Sequence, residues 1–444
     1  MSALRRRYAT LPAGTPVRLA KKTSNLFRFR PPATGPTLAT DPFDQVLAVD
    51  PHARTADVQG MVTYERLVGA TLRHGLMPMV VPQLKTITLG GAVSGLGIES
   101  SSFRNGLPHE SVTEMEILTG NGDLVVARPT GEHADLFATF PNSYGTLGYA
   151  LRLRIALEPV LPYVHLRHLR FTGADDCLAA MAEISAAGAH DGAQVDFLDG
   201  VVFDRDELYL TVGTFTGTAP RVSDYTGMGI YYRSIRERAD DHLTVADYLW
   251  RWDTDWFWCS RAFGVQHPLV RRVWPRRWRR SDVYRRLVAL DRRWALSARL
   301  DRLRRQPERE AVIQDVEVPL DTTAAFLDFF HDRVGISPVW LCPLKLRTPT
   351  PWPLYPLDPG RLYVNVGFWS TVPLGPGQAD GFHNRLIEQA VDRLGGHKSL
   401  YSTVHYPEDE FWRRYHGDAY APVKRAYDPD GRLPDLYDKC VRMR

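Results

Sequence analysis

The chain has 444 residues, a formal net charge of +4, and 44% hydrophobic and 24% charged residues. This length and composition are typical of a globular protein with more than one domain, and the small net charge argues against nucleic-acid binding through global charge. No apolar run is long enough for a membrane-spanning helix, and the basic N-terminus has no apolar core behind it, as a secretory signal would. We therefore expect an intracellular, cytoplasmic protein.

The basic residues and the cysteines are distributed unevenly. Only seven of the 55 basic residues are lysines, a bias typical of a GC-rich genome. The four cysteines, at positions 177, 259, 342 and 440, are far apart and include no CxxC pair. This spacing argues against a zinc site and against a disulfide framework, so we expect no bound metal.

The first part of the chain is predicted to contain short strands and one helix. The helix covers residues 63–74 and ends at Gly75, a residue suited to a helix C-cap. The Asn121-Gly122 pair favours a hairpin between two strands. The predicted strands cover residues 17–19, 46–49, 79–81, 113–118, 123–127 and 151–157.

After Pro162 the pattern is that of a strand-rich layer with helices beside it, which predicts an α+β fold. A helix is predicted at 175–187, and the region 244–305, rich in Trp and Arg, is also predicted to be helical. The predicted strands cover residues 164–171, 195–203, 208–215, 311–318, 338–345 and 362–368.

A glycine-rich segment from Thr86 to Gly106 carries the main functional signal. Its glycines let the backbone approach a ligand closely, and successive N–H groups suit a pyrophosphate. Gly95-Leu96-Gly97 begins a Rossmann fingerprint, but position 100 is Ser and no long helix can follow, so that fold is disfavoured. The remaining alternative is a glycine-rich turn without a ligand.

Further motifs resemble the vanillyl-alcohol-oxidase superfamily, whose FAD-binding domain is of the PCMH type. The resemblance rests on Gly90-Gly91, Ser101, Gly106, the Asn-Gly hairpin and residues 143–148. One branch, that of the Δ24-sterol reductases, is resembled more closely, through Gly97-Ile98-Glu99-Ser100-Ser101-Ser102 and residues 338–343, 410–412 and 436–439. These motifs spread from about residue 18 to residue 440, over nearly the whole chain.

The resemblance implies a two-domain α+β fold. An FAD-binding domain would cover residues 1–160, and a substrate or cap domain would cover 161–398. A C-terminal segment, 399–444, would return to the flavin site. The first phosphate loop of the superfamily is missing, and residues 21–28 take its place with basic and hydroxyl side chains.

The resemblance also implies the cofactors. No Gly-x-Gly-His string could supply a histidine linkage, so we expect FAD to be held non-covalently. Family members commonly take electrons from NADPH, and the sequence shows no separate NADPH domain. The residues expected to hold FAD are Lys22, Thr23, Ser24, Asn25, Thr86, Thr88, Gly90, Gly91, Gly97, Ile98, Glu99, Ser100, Ser101, Gly106, Ser143, Gly145, Thr146 and Gly148.

Reduction of an isolated carbon–carbon double bond in a lipid is the reaction that the branch resemblance implies. Such a bond has no carbonyl to polarise it, so a proton must be added to one carbon while the flavin N5 delivers hydride to the other. The segment 21–28 resembles actinobacterial reductases that convert a 10-methylene fatty acyl chain into a 10-methyl chain, tuberculostearic acid among the products. A Δ24-sterol reductase, an FAD-linked alcohol or sugar oxidase or dehydrogenase, and a flavin-free lipid-binding protein are the alternatives.

A proton donor and a substrate pocket complete the expected site. The candidate acids are Tyr406, Glu99 and His405, with Tyr415 considered beside them. Glu99 could instead bond the flavin, and ordinary packing is the alternative for the histidine. Trp340, Asn365 and Trp369 are expected to line the substrate pocket, although aromatic residues on strands are more often simply core.

Between Arg271 and Arg305 there are fourteen arginines and three aspartates, with tryptophans in or beside the stretch. Arginine attracts anionic head groups and Trp prefers the membrane interface, so region 250–305 is a candidate for peripheral contact with the inner face of the plasma membrane. A solvated helical face is the alternative. The branched-lipid interpretation also requires a methyltransferase in the same cell as a partner.

Overall fold

Two antiparallel β-sheets organise the computed structural model, which describes residues 2–12, 14–21, 27–28, 36–39, 43–294, 299, 306–349 and 352–441. The strands, in chain order, are β1 Arg18–Ala20, β2 Thr37–Ala39, β3 Val46–Asp50, β4 Thr55–Gln59, β5 Leu76–Pro78, β6 Val112–Leu118, β7 Leu124–Ala127, β8 Tyr149–Pro159, β9 Tyr163–Phe171, β10 Ala189–His190, β11 Ala193–Gln194, β12 Phe197–Asp204, β13 Glu207–Thr216, β14 Asp240–Thr244, β15 Arg309–Pro319, β16 Val339–Leu344, β17 Tyr363–Pro373 and β18 His397–Lys398. Helices cover these sheets. They are α1 Ser2–Ala9, α2 Tyr64–Thr71, α3 Leu89–Ser94, α4 Ser102–Asn105, α5 Ala134–Thr139, α6 Ala174–Ala187, α7 Tyr231–Glu237, α8 Val245–Leu249, α9 Pro268–Val273, α10 Ser281–Trp294, α11 Leu320–Arg333, α12 Phe382–Arg393, α13 Glu408–Arg414, α14 Gly417–Tyr427 and α15 Leu436–Cys440.

The first sheet has the order β3-β4-β8-β6-β7, with β5 paired to β8. Its β6–β7 hairpin is the one that the Asn-Gly pair predicted, and Gly122 has the positive φ of 91° that the turn requires. Helix α2 begins after Thr63, whose side chain accepts from the Arg66 N–H, and a short 3-10 turn continues it to Gly75. The predicted helix at 63–74 is therefore confirmed.

The second sheet has the order β14-β9-β13-β12-β16-β17-β15-β18. Alternate residues of a strand point to opposite faces, and this alternation divides the sheet between two cores. On β15, Val312 and Val316 pack with α6, α11 and α12 in one apolar cluster, whereas Asp315 faces the other way. On β16, Leu341 belongs to that cluster and Trp340 to the core shared with the first sheet.

Three segments differ from the predicted elements. The strand expected at 79–81 lies earlier, at Leu76–Pro78, because these residues pair with the end of β8. Part of the expected glycine-rich loop is helical, since the Thr88 side chain caps α3. Region 244–305 is only partly helical, because a turn at 250–258 separates α8 from the following helices.

The C-terminal residues pack back onto the N-terminal part of the chain. Phe27 forms a parallel bridge with Ser402, and the Lys424 ammonium donates to the Thr146 carbonyl at 2.8 Å. Across the part of the chain that the structure describes, no helix is both long and apolar enough to cross a bilayer.

Candidate functional site

A cavity of about 1150 Å³, including its mouth, lies between the glycine-rich segment and the second sheet. Its lining residues are Lys21, Phe27, Pro82, Gln83, Leu84, Thr86, Ile87, Thr88, Gly91, Ala92, Ser94, Gly95, Leu96, Gly97, Ile98, Tyr144, Trp256, Phe257, Asp315, Trp340, Trp369, Ser399 and Tyr401.

Close neighbouring atoms explain why glycines occupy positions in the wall that the glycine-rich segment forms. A Cβ at Gly91 would lie 2.8 Å from the Thr88 hydroxyl and 3.3 Å from the Lys21 ammonium nitrogen. A Cβ at Gly97 would meet Pro82 at 2.9 Å. The absence of side chains at these positions lets a ligand approach the backbone with a lysine beside it.

A tight turn at 142–148 forms the adjoining wall. Tyr144 has a positive φ of 52°, its N–H donates to the Ser94 carbonyl at 2.7 Å, and its ring faces the cavity. The Arg28 guanidinium lies 4.4 Å from the centre of that ring. The Tyr144 hydroxyl is buried and has no hydrogen-bond partner among the described residues, so it could bond a ligand in the cavity.

The opposite wall is aromatic. Trp340 and Trp369 stand on β16 and β17, as the sequence predicted for pocket residues. Phe257 stacks on Trp369 with ring centres 4.2 Å apart. The Trp340 indole N–H donates to Asp199 at 3.1 Å, which fixes the orientation of that ring.

Trp256 and Phe257 have positive φ values of 47° and 59°, which are rare for bulky residues. Two buried aspartates hold the turn that contains them. Asp253 accepts from the Lys85 N–H at 2.9 Å, and Asp255 accepts from the Arg271 guanidinium at 2.7 and 3.0 Å. These bonds hold both aromatic rings against the cavity despite the strained backbone.

One acidic cluster faces the cavity. Asp315 and Tyr401 share a hydrogen bond, and the Trp369 indole N–H donates to the Tyr401 oxygen at 3.0 Å. The Asn365 amide donates to Asp315 at 3.4 Å, so this predicted pocket residue contacts a lining residue. Burial raises the pKa of Asp315 to about 7, and burial likewise raises the pKa of the neighbouring Glu317 to about 8.

Gly367 is the cross-strand partner of Asp315. A Cβ at this glycine would lie 2.5 Å from Asp315 Oδ1 and 2.8 Å from the Trp369 ring. Only a glycine leaves space for the carboxyl and the indole together.

A second acidic cluster contains Glu99, which we expected either to contact the flavin or to donate the proton to the alkene. The Arg251 guanidinium binds Glu99 at 2.8 Å and Asp199 at 2.9 Å, and its side chain is fully buried. Neither Glu99 nor Arg251 lines the cavity. The buried arginine therefore directs the Glu99 carboxylate away from the cavity and joins the glycine-rich segment to the second sheet.

Other predicted cofactor residues have internal partners. Ser101 donates to the Met79 carbonyl and Ser100 bonds Tyr248, while Ser143 and Thr146 donate to nearby carbonyls. The glycines Gly90, Gly106 and Gly148 lie too close to neighbouring groups to carry a side chain, and Gly145 has a φ of 77°. None of these lines the cavity, whereas Thr86, Thr88, Gly91, Gly97 and Ile98 do. Lys22, Thr23, Ser24 and Asn25 lie outside the described residues.

The remaining candidate acids lie elsewhere. The Arg414 guanidinium lies 4.7 Å from the centre of the Tyr406 ring, and the His405 N–H donates to Glu388. Tyr415 is buried and donates to the Lys398 carbonyl at 2.8 Å. None of the three lines the cavity, because residues 402–415 turn away from it after Tyr401. Their role as proton donors stays a prediction, since a donor must come within hydrogen-bond reach of the carbon that it protonates.

The sequence did not indicate several of the lining residues. Asp315 and Tyr401 lie in ordinary strand and loop contexts, and only cross-strand pairing brings them together. Trp256 and Phe257 belong to the stretch that we assigned to membrane contact. Tyr144 belongs to the 143–148 motif, but its orientation depends on a positive φ angle that the sequence does not predict.

Comparisons with known proteins agree with this geometry. A family described as "FAD binding domain" matches residues 8–128. The human Delta(24)-sterol reductase is 25% identical over 422 residues, which cover 89% of this chain and 76% of the human protein. The Delta(24)-sterol reductase of Arabidopsis thaliana is 25% identical over 448 residues, covering 90% and 76%. Cytokinin dehydrogenase 9 of Oryza sativa subsp. japonica is 32% identical over 119 residues, 26% of this chain and 23% of that protein.

The fold is therefore the two-domain α+β fold with a PCMH-type FAD-binding domain that the sequence predicted. The cavity residues fit FAD. The glycine backbone beside Lys21, which has no side chain at Gly91, suits a pyrophosphate, and the buried Tyr144 hydroxyl lacks a protein partner among the described residues. The aromatic wall of Trp340 and Trp369 suits a flat ring or an apolar substrate.

Proposed function

We propose that this protein is an FAD-dependent oxidoreductase that uses NADPH to reduce an isolated carbon–carbon double bond in a lipid. The observation that carries the proposal is the cavity itself. A glycine-rich wall suited to FAD faces an apolar aromatic wall, and one carboxyl with an elevated pKa stands on the aromatic side. Resemblance to Delta(24)-sterol reductases over 89% of the chain supports the reaction class.

FAD bound in the cavity would supply hydride to one alkene carbon after it has been reduced by NADPH. The chain's own contribution is the proton for the other carbon. Asp315 can hold that proton near neutral pH because burial raises its pKa to about 7, and a pKa near the working pH is best for general acid catalysis. Tyr401 and Asn365 orient the carboxyl. The net reaction consumes NADPH and one proton, and water returns the proton to Asp315.

The aromatic side chains exclude water from the reacting carbons. Phe257, Trp340 and Trp369 form a continuous apolar surface beside Asp315. Cation character on the substituted alkene carbon is stabilised by aromatic faces. We propose a 10-methylene fatty acyl chain of a phospholipid as the substrate, in line with the resemblance of residues 21–28. A methyltransferase acting on an unsaturated acyl chain would supply it.

The test is turnover with defined lipids. Purified protein should be yellow, and anaerobic NADPH should bleach its flavin absorbance. Methylene-branched phospholipid and a Δ24 sterol are then supplied separately, and the products are read by mass. A gain of two hydrogens in the branched phospholipid supports the proposal, whereas reduction of the sterol alone would replace the substrate class. A colourless protein, or peroxide release with an alcohol substrate, would overturn the reductase assignment.

A further inference from the structure

Exposed apolar side chains are concentrated in one short part of the chain. Ten large hydrophobic residues of the described structure are exposed, and five of them lie between residues 269 and 294. They are Leu269, Val273, Trp278, Leu290 and Trp294, and the most exposed is Val273 at 79%. Apolar residues gathered in this way on a protein surface mark an interaction site.

The inner contacts of the two helices show why these residues point outward. On α9, Arg271 is buried and binds Asp255 together with the carbonyls of residues 225, 227 and 229. Successive helical residues are turned by about 100°, so Leu269 and Val273 lie on the side opposite Arg271. On α10, buried Tyr284 donates to the Thr254 carbonyl, which leaves the face of Arg286, Leu290 and Trp294 outside.

Cations surround the exposed apolar residues. Residues 261–294 contain eleven arginines and two aspartates. Arg272 and Arg277 are exposed, and neither is within salt-bridge distance of a carboxylate in the described part of the chain. We call these exposed residues of α9, the 276–278 turn and α10 the docking surface.

We propose that the docking surface binds the head-group region of an anionic phospholipid bilayer. Arginine attracts anionic lipid, tryptophan prefers the interface, and aliphatic side chains enter the acyl boundary, so this combination favours a bilayer over an acidic protein. Exposed Trp278 and Trp294 stand among arginines, as such an interface requires.

The docking surface is joined to the cavity through one turn. Asp253 accepts from the Ser281 backbone at the start of α10, and Asp255 binds Arg271 of α9. Directly after Asp255 the same turn presents Trp256 and Phe257 to the cavity. If the protein reduces a phospholipid acyl chain, the surface would bring that substrate to the cavity wall; this consequence rests on the proposed function, whereas bilayer binding does not.

The experiment is vesicle sedimentation with the full-length flavin-loaded protein. Wild type should bind vesicles of phosphatidylcholine and phosphatidylglycerol in equal amounts, bind pure phosphatidylcholine weakly, and lose affinity as salt is added. Arg272→Gln/Arg277→Gln should bind the anionic vesicles roughly 30-fold more weakly, since each of the two cations contributes about 1 kcal/mol, or about fivefold. Val273→Ser/Trp278→Ser should lose roughly tenfold.

Matched controls use exposed residues far from α9 and α10 in sequence. Arg73→Gln/Arg170→Gln and Leu47→Ser/Leu161→Ser should bind like wild type. Equal binding by docking and control variants, or no binding by wild type, would overturn the proposal. Self-association that the docking variants abolish, seen by light scattering, would also overturn it in favour of a second copy. Turnover of a detergent-dispersed lipid tests the proposed function separately, because vesicle binding needs no turnover.

Discussion

Two buried acidic clusters on the cavity side of the second sheet differ in one respect, the presence of a cation. Glu99 and Asp199 share the buried guanidinium of Arg251. Asp315 and Glu317 have no cation within salt-bridge distance among the described residues, and Asp315 faces the cavity. The Arg251 guanidinium joins Glu99 of the glycine-rich segment to Asp199 of the second sheet, whereas Asp315 lacks such a cation and burial raises its pKa to about 7.

The two clusters also divide the tryptophans of the aromatic wall. Trp340 donates its indole N–H to Asp199, and Trp369 donates to Tyr401 beside Asp315. The Trp340 ring is thus held by the cluster that contains Arg251. The Trp369 ring is held by the cluster that contains Asp315 and faces the cavity. A variant that removes the Arg251 cation should therefore lower stability, whereas a variant that removes the Asp315 proton should slow alkene reduction.

Removing the arginine should have the largest effect. Arg251→Met leaves Glu99 and Asp199 as unpaired buried carboxylates, so we expect a loss of about 3–5 kcal/mol in the free energy of unfolding. Urea denaturation measures it, and Arg170→Met, at an exposed position, is the control. Adding Glu99→Gln and Asp199→Asn to Arg251→Met should recover part of the loss. Equal stability of Arg251→Met and the control would contradict a structural role for this cluster.

Removing the proton donor should affect chemistry instead. Asp315→Asn should slow alkene reduction by on the order of 10²–10⁴-fold, as expected for loss of a general acid, and leave flavin reduction by NADPH nearly unchanged. Stopped-flow measurement of the two half-reactions separates these effects. Asp321→Asn removes an exposed carboxylate from α11 and should change neither rate. Equal slowing of both half-reactions by Asp315→Asn would argue against proton donation.

The contrast between the clusters also explains what the sequence could predict. Strands were predicted at 195–203, 208–215, 311–318, 338–345 and 362–368, where β12, β13, β15, β16 and β17 lie, and the Asn-Gly pair located the first hairpin. The glycine-rich segment was predicted to hold FAD because glycines allow a ligand to approach the backbone closely, and part of this segment lines the cavity. Trp340, Asn365 and Trp369 were predicted for the pocket because of their place on the predicted strands of the middle domain.

Residues whose positions depend on distant partners were not predictable in this way. Glu99 was expected at the flavin, but its direction is set by Arg251, 152 positions away in the chain. Asp315 and Tyr401 meet only because β15 and the segment after β18 lie side by side. A single sequence contains no local sign of either pairing.

The pH dependence of stability should report on the proton that Asp315 holds in the folded chain. The folded pKa of Asp315 is raised from 3.8 to about 7, so the folded chain keeps a proton that the unfolded chain has already lost. Its stabilising contribution is present below about pH 4 and is lost as the pH rises to about 7. Thermal unfolding should therefore weaken over this range more steeply in wild type than in Asp315→Asn. Parallel curves would show that Asp315 does not hold a proton in the folded state.

The smallest effect is expected for substitution of Tyr401, which orients the Asp315 carboxyl. The Tyr401 hydrogen bond lowers the pKa of Asp315, so Tyr401→Phe should move the alkaline fall of alkene reduction to higher pH. The rate at acidic pH should drop by about tenfold or less, the effect of one hydrogen bond near 1 kcal/mol. Tyr415→Phe, which removes a buried hydroxyl outside the cavity, is the matched control and should leave the pH profile in place. A profile that moves to lower pH, or that moves equally in both variants, would mean that Tyr401 does not act through the Asp315 carboxyl.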